Sequence, residues 1–451
     1  MNLRNFLFVC ATLAFGCTTT EEYPAAAPIG SAFSLRAGGS LYDGGKGVAV
    51  SADGRVAVLA AFWDTVDFGA GPLVSAGNAD AVLATWDAEG NPGMSLRFGT
   101  AEHELARHVV AAGAGAWVFG VHTEKELDLG GGPLVPQGVA GTAIAKLDAE
   151  GGHVFSMMFP GWLEGLAAAG DDAIVAAGTF SGTVVVGGET FTGAGGEDIL
   201  VMKLDGKGAP VWTRAFGSAN QEHMEVAVDP SGNVLLGGAI RGPVDFGGGL
   251  ATNAGEWDAA LVKLDADGKH VFTKTFGDAS FQMIKSVATD AEGNVFVGGL
   301  FEGRIDFGNG ELRAEDRDLF FAKFDPTGAP RWARSFALLD ADWDNPSPRI
   351  ATDPAGGLVV TGDFMAAIDL GGGQILREAN AIFFARYDAA GNHVESRGFG
   401  GTKYMSVDGL AVDPSGAAAI TGSFYGTVDF GQGLLETAGD SDMFLARFLA
   451  P

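Results

Sequence analysis

One short pattern returns about every 60 residues along this chain, and any fold the chain adopts must accommodate it. The pattern is V-D-F-G, in strict or conservatively altered form. Its aspartate is Asp67, Asp128, Asp245, Asp306, Asp369 or Asp429, with Val185 in the equivalent place of the third copy. Three more markers keep the same period. V-A-x-D-x-x-G is clearest at Val226–Gly232, Val287–Gly293, Ile350–Gly356 and Leu410–Gly416. D-x-F-L-A-K-L-D-x-x-G runs through Asp198–Gly208, Asp258–Gly268 and Asp318–Gly328. W-x-x-x-F-G is seen at Trp212–Gly217. Each unit reads as four short runs of β-branched and aromatic residues bounded by Gly and Asp turns, which is the strand signal. In the turn Asp229-Pro230-Ser231-Gly232-Asn233 the proline presets φ, the aspartate can bond the turn backbone, and the glycine can take a positive φ.

Four strands in about 60 residues, repeated seven times, predict an all-β, seven-bladed β-propeller of four-stranded blades. The ends specify how the ring closes. The last unit reaches a third strand at Met443–Phe448 and has no fourth, while Ala32–Gly38 reads as an orphan fourth strand. Seven strands of each type exist only if the N-terminal strand completes the last blade. The expectation is therefore a three-plus-one closing blade, which leaves no large unpaired edge.

The repeat resembles the bacterial β-propeller repeat called SBBP. The resemblance is carried by the D-x-x-G-N-V-x-V-x-G stretch at Asp229–Gly238 and Asp290–Gly299 and by the W-x-x-x-F-G strand. It covers essentially Ala32 to Phe448. Ala112-Gly113 and Ala169-Gly170 depart from it, replacing the turn Asp-Pro in the second and third units. The resemblance implies a propeller on a secreted or surface protein, of the kind common in myxobacteria, and says little about activity, since propellers host many functions.

Residues 1–16 carry Arg4 and then an apolar stretch from Phe6 to Phe15, the length of a signal-peptide core. The following Leu13-Ala14-Phe15-Gly16-Cys17 resembles the lipobox of bacterial lipoproteins, with the leucine one place further from the cysteine than usual. That resemblance implies a lipidated Cys17, a flexible tether over 17–31 and a propeller over 32–449, in an exported protein of the outer membrane or cell surface. Of the two cysteines, Cys10 lies within the apolar core and would be removed, leaving Cys17 without an internal disulfide partner. Beyond the N-terminus no apolar run reaches the roughly 18 residues of a membrane span. The membrane is therefore met through the lipid alone.

Glycine supplies 71 of 451 residues, as turn-rich β architecture requires, and the formal net charge of −28 argues against nucleic acid. The recurrent D-F-G is too periodic to be a kinase magnesium loop. His103 and His108 stand five apart, which does not suit a zinc-protease helix. No P-loop or nucleophile elbow stands out.

Two sets of residues are candidates for function. The first is the repeated carboxylates, Asp67 with Asp80, Asp245 with Asp258, Asp306 with Asp318 and Asp429 with Asp442, together with Asp198. Flanking one loop in each unit, the two positions are expected on one rim. Calcium, which binds six to eight oxygens, is one reading. The absence of a D-x-D-x-D-G run favours turn stabilisation instead, with no cofactor. Asp342 and Asp344, around Trp343, form an acidic pair in a long insertion and read the same way. The second set lies in the variable loops that join blades: Tyr42, His103, Trp162, His223, Phe281, Trp343 and Tyr404. Rigid rings on one face suit a protein or glycan partner. The leading expectation is a monomeric, non-enzymatic, lipid-anchored binding module. The alternatives are a polysaccharide hydrolase or lyase with an acidic channel site, and a calcium-dependent adhesion protein.

Overall fold

The computed structural model describes residues 30–451 apart from 171, 339–346, 377–379 and 402. Cys17, Asp342, Trp343 and Asp344 lie outside the described residues. Seven antiparallel four-stranded sheets follow one another, each running from an inner first strand to an outer fourth. Blade 4 shows the pattern, with strands Glu222–Val228, Val234–Ile240, Asp258–Leu264 and His270–Phe276. Its second and third strands are buried at every residue, because neighbouring blades cover both faces of the sheet. The seventh sheet is built from Met405–Val412, Ala418–Phe424 and Asp442–Phe448 and is completed by Ser31–Ala37, with Leu35 opposite Leu445 and Ala37 opposite Met443. The three-plus-one closure read from the chain ends is therefore the observed one.

Two of the sequence markers are the joints between blades. The lysine of D-x-F-L-A-K-L-D reaches into the neighbouring blade and is buried at Lys146, Lys263 and Lys323. Lys263 Nζ sits 2.9 Å from Asp229 in its own blade and donates to Pro326 O of the next at 3.0 Å. Lys323 pairs with Asp290 and donates to Gly356 O. Blade 1 has Thr85 at this place, and Arg55 takes over by donating to Ala149 O of blade 2 at 3.2 Å. Blade 3 lacks the turn aspartate, and Asp172, at φ 68°, instead receives Lys146 of blade 2 at 2.5 Å.

The tryptophan of W-x-x-x-F-G lies over a turn glycine of the next blade. Trp212 covers Gly268 and donates its Nε1 to Ala266 O at 3.0 Å, and Trp332 does the same over Gly391 to Ala389 O. Gly268 adopts φ +75°, and a Cβ there would meet the Trp212 ring at 2.9 Å. Gly268→Ala is therefore expected to destabilise by more than about 1 kcal/mol, combining left-handed strain with displaced packing, as read by urea unfolding.

The V-D-F-G segments form small outer hairpins such as Val244–Asp245 with Leu250–Ala251. The phenylalanine is buried and the aspartate exposed. Asp245 Oδ1 accepts the amides of Gly247 at 2.7 Å and Gly249 at 3.0 Å, and the same double bond recurs at Asp67, Asp128, Asp306, Asp369 and Asp429. The expectation that the paired carboxylates share one rim is not met. Each hairpin folds back along the blade, so that Gly247 lies against His270 at the start of the fourth strand. Asp258 stands at the other end of the third strand, six residues or roughly 20 Å away. The same separation holds for Asp67 and Asp80, because Gly69 rests on Pro92, and for Asp306 and Asp318, because Gly308 rests on Pro330. Asp80, Asp198, Asp258 and Asp442 instead accept loop amides four residues back: Ala76, Ala194, Ala254 and Ala438.

Candidate functional site

The inner strands present charge to the propeller axis, and the sequence shows how. In four blades a β-bulge interrupts the pairing of first and second strands and leaves an extra residue: Lys46, Glu164, Lys285 or Asp408. In blade 2 a wider irregularity frees both Arg107 and His108. A bulge re-aims a side chain that a regular strand would turn into the blade. Glu225 and Arg349 reach the axis from blades 4 and 6, so every blade sends at least one ionisable group to it. Together they line a cavity of about 160 Å³, with a second of about 170 Å³ sharing Lys46, His108, Glu225, Arg349 and Asp408.

Much of this charge is paired. Lys46 stands 3.2 Å from Asp408, Arg349 stands 3.6 Å from Glu225, and His223 Nδ1 bonds Glu164 Oε1. Glu164 also accepts the amide of Met224 at 2.8 Å. Burial would lower His223, but the hydrogen bond and charge of Glu164, with Glu225 behind it, outweigh burial and raise its pKa. Burial holds His108 well below its ordinary value, assisted by the charges of Arg107, Arg349 and His223, so His108 is neutral at pH 7. Burial raises Glu225 and lowers Lys285. Arg107 stacks on Trp162, 4.2 Å from the ring centroid, and spends Nε and one terminal nitrogen on Leu163 O.

Among the described residues the channel lining is not acidic. Four basic side chains, Lys46, Arg107, Lys285 and Arg349, face three carboxylates, Glu164, Glu225 and Asp408. An enzyme reading built on an acidic channel finds no support in this described lining.

The upper face, where the loops joining successive blades lie, carries the other site. Five rings from blades 7, 1 and 2 form one row. Tyr404 meets Tyr425 at 6.1 Å between centroids, Tyr425 meets Tyr42 at 6.4 Å, Tyr42 meets Trp63 at 6.4 Å, and Trp63 meets His103 at 5.5 Å, each edge to face. Tyr404, Tyr42 and His103 are exposed, while Tyr425 and Trp63 are half-buried between them. The loop backbone fixes the row, with Tyr425 N donating to Tyr404 O and Asp43 N to Ser441 O, both at 2.9 Å. Beneath it the buried Asp43 accepts the amides of Gly39 at 2.7 Å and Trp63 at 3.1 Å.

Three loop residues expected at a binding face, Tyr42, His103 and Tyr404, are thus brought together. Trp162 stands apart, between Arg107 and His122. His223 turns into the channel. Phe281 is half-buried under Arg317, 5.0 Å from its centroid. The sequence reading missed Trp63 and Tyr425, although both stand four residues before the V-D-F-G aspartate, Asp67 or Asp429. Apart from His223, it also missed the ionisable channel residues, which stand one or two places before each V-A-V-type run.

Burial raises the pKa of Asp43 to about 7, against the two amides that lower it and with Asp442 and Asp64 adding to the rise. Since the folded value lies above the unfolded one, this group's contribution to stability is complete below about pH 4 and lost as pH rises through 7. Asp43→Asn is expected to remove that component. The stability difference between variant and parent should shift in favour of the variant from pH 5 to pH 8, as read by thermal melts.

Among the described residues no group of three or more His, Cys, Asp or Glu side chains is arranged to hold a metal ion. No protein-family model and no curated protein matches the chain. Among solved structures it is similar to hydrazine synthase of Kuenenia stuttgartiensis, with 11 % identity over 94 % of this chain and 100 % of that one and a TM-score of 0.45. It is similar also to the β-propeller domain of the Trilobed protease of Pyrococcus furiosus, at 10 % identity over 89 % and 97 % and a TM-score of 0.45. A third is Sqt1 of Chaetomium thermophilum, at 12 % identity over 93 % and 99 % and a TM-score of 0.42. Likenesses this distant carry no argument about function.

Proposed function

We propose that this is an exported, lipid-anchored binding module that holds an extended glycan along the aromatic row of its upper face. The row Tyr404–Tyr425–Tyr42–Trp63–His103 carries the reading. Tyr42 is 50 % exposed and Tyr404 40 %, large apolar rings left at the surface where burial would have been favourable. Successive rings presented along a line suit the C–H faces of consecutive sugar units, and the half-buried Trp63 and Tyr425 hold the exposed rings in fixed orientation at low entropic cost. Export and anchoring rest on the apolar stretch before Cys17 and on the lipobox resemblance.

The test is capture of soluble bacterial surface polysaccharides and a defined oligosaccharide panel on the immobilised propeller, with the bound glycan recovered for size analysis. The expected result is capture without shortening, weakened at least tenfold by Tyr42→Ala or Trp63→Ala. Shortened glycan would favour an enzyme, and capture abolished by a chelator would favour calcium-dependent adhesion. Failure to capture any glycan, together with retention of a protein partner, would replace the glycan with that partner. Cys17→Ser is expected to abolish labelling by a fatty-acid analogue in a bacterial host and to release the protein from the membrane fraction.

A further inference from the structure

Pairing the channel charges leaves a remainder. Lys46 has Asp408, Arg349 has Glu225 and His223 has Glu164. The Lys285 ammonium makes no hydrogen bond or ion pair with any described residue, and Arg107 has no carboxylate within ion-pair distance among them. These two cations come from blades 2 and 5 and line the same cavity of about 160 Å³. In a chain of net charge −28, two cations outside any ion pair in a confined cavity stand out, with Glu164 and Glu225 acting on them only at longer range. Desolvating a cation without a counter-charge is unfavourable, and an anion between the two would supply one.

We propose that the axial channel is a binding site for a small oxyanion, a carboxylate or a phosphate-like group, held between Lys285 and Arg107. The cavity of about 160 Å³ has room for such an anion. Arg107 is set for the role: Trp162 and Leu163 O fix the guanidinium plane and leave one terminal nitrogen for a ligand. Ser347 and the neutral ring of His108 also line the cavity and can donate hydrogen bonds without adding charge. The carboxylates there are already held at close range by Lys46, Arg349 and His223, so none of them makes an ion pair with Lys285 that an incoming anion would have to displace.

The experiment is isothermal titration and thermal melting of the propeller with sulfate, phosphate and malonate, at ionic strength held constant with sodium chloride. The expected result is a saturable rise in Tm by at least one of the three, with a measurable heat of binding, both lost in Lys285→Gln and in Arg107→Gln. Sulfate and phosphate also stabilise proteins by exclusion from the surface, but that effect does not saturate and survives in the variants. Lys285→Gln removes an unpaired charge and is expected to fold at least as stably as the parent, so loss of binding in it cannot be put down to unfolding. Binding unchanged in both folded variants, or no saturable effect of any of the three anions, overturns the proposal. The ranking of malonate against phosphate tells which source of oxyanion the site prefers. Trp63→Ala is expected to bind the anion normally, which separates this site from the aromatic row.

Discussion

Deletion of Ser31–Ala37 is expected to abolish cooperative folding of the ring, with a fall in Tm of more than 15 °C or outright aggregation. This strand lies about 400 residues from its partner in sequence, yet it supplies the whole outer edge of blade 7. Its side chains repeat contacts that recur in the other blades. Phe33 covers the turn glycine Gly90 of blade 1, as Trp212 covers Gly268. Arg36 donates to the fully buried Asp442 at 2.6 Å, as Arg97 does to Asp80 in blade 1. Deletion would leave Asp442 without its counter-charge, uncover the cluster that Phe33 and Ala37 share with Val58, Trp86 and Leu445, and open the edge of Asp442–Phe448 to intermolecular pairing. A graded probe is Phe33→Ala, which removes the ring and keeps the strand. It is expected to cost about 3 kcal/mol. Circular dichroism melts and light scattering read both variants. A deletion variant melting within a few degrees of the parent would mean that the ring does not depend on this closure.

The blade count and the strand order were legible because each rests on local signals that return in most of the seven units. Asp229-Pro230-Ser231-Gly232 has the chemistry of a turn, and the strand-like Ala32–Gly38 is observed on the edge of Asp442–Phe448. The aromatic row was half legible. Tyr42, His103 and Tyr404 lie in loops that vary between units, whereas Trp63 and Tyr425 sit at the end of a strand and were absorbed into its apolar run. The channel was not legible, because its charges arrive through bulges. Lys46, Glu164, Lys285 and Asp408 each stand two residues before a V-A-V-type run, but Glu225 and Arg349 stand one before it. Strict alternation would turn one of these two positions into the blade, so only the observed register shows that both reach the axis. The V-D-F-G aspartates failed differently. Their turn chemistry was readable, but the direction in which the hairpin folds depends on tertiary contacts such as Gly247 on His270 and Gly69 on Pro92.

Arg447→Met is expected to destabilise the protein by about 3–5 kcal/mol, the cost of breaking a buried ion pair from one side. Arg447 is the last of the third-strand cations, and it joins blade 7 to blade 1. Its guanidinium lies 2.5 Å from Asp413 and donates to Gly54 O at 2.8 Å and to Ala88 O at 3.2 Å, with the two side chains 7 % and 3 % exposed. Burial alone would raise the pKa of Asp413. Hydrogen bonds from Ser415 and Ala417 and the charge of Arg447 outweigh it and hold the carboxyl below its usual range. A depressed folded pKa contributes stability that is present above the unfolded value near 4 and is lost as pH falls through the folded value. Methionine removes part of that support, so the penalty should be largest at neutral pH and shrink as Asp413 is protonated. The stability gap between parent and variant is therefore expected to narrow from pH 7 to pH 3. Adding Asp413→Asn to Arg447→Met should restore part of the loss at pH 7, since no buried charge then remains. Lys269→Met is the control. Lys269 pairs with Asp267 at 3.5 Å with both side chains more than 70 % exposed, and its removal should change stability by less than about 0.5 kcal/mol. Equal effects of the buried and exposed substitutions would mean that the recurring cation of the third strand holds no two blades together.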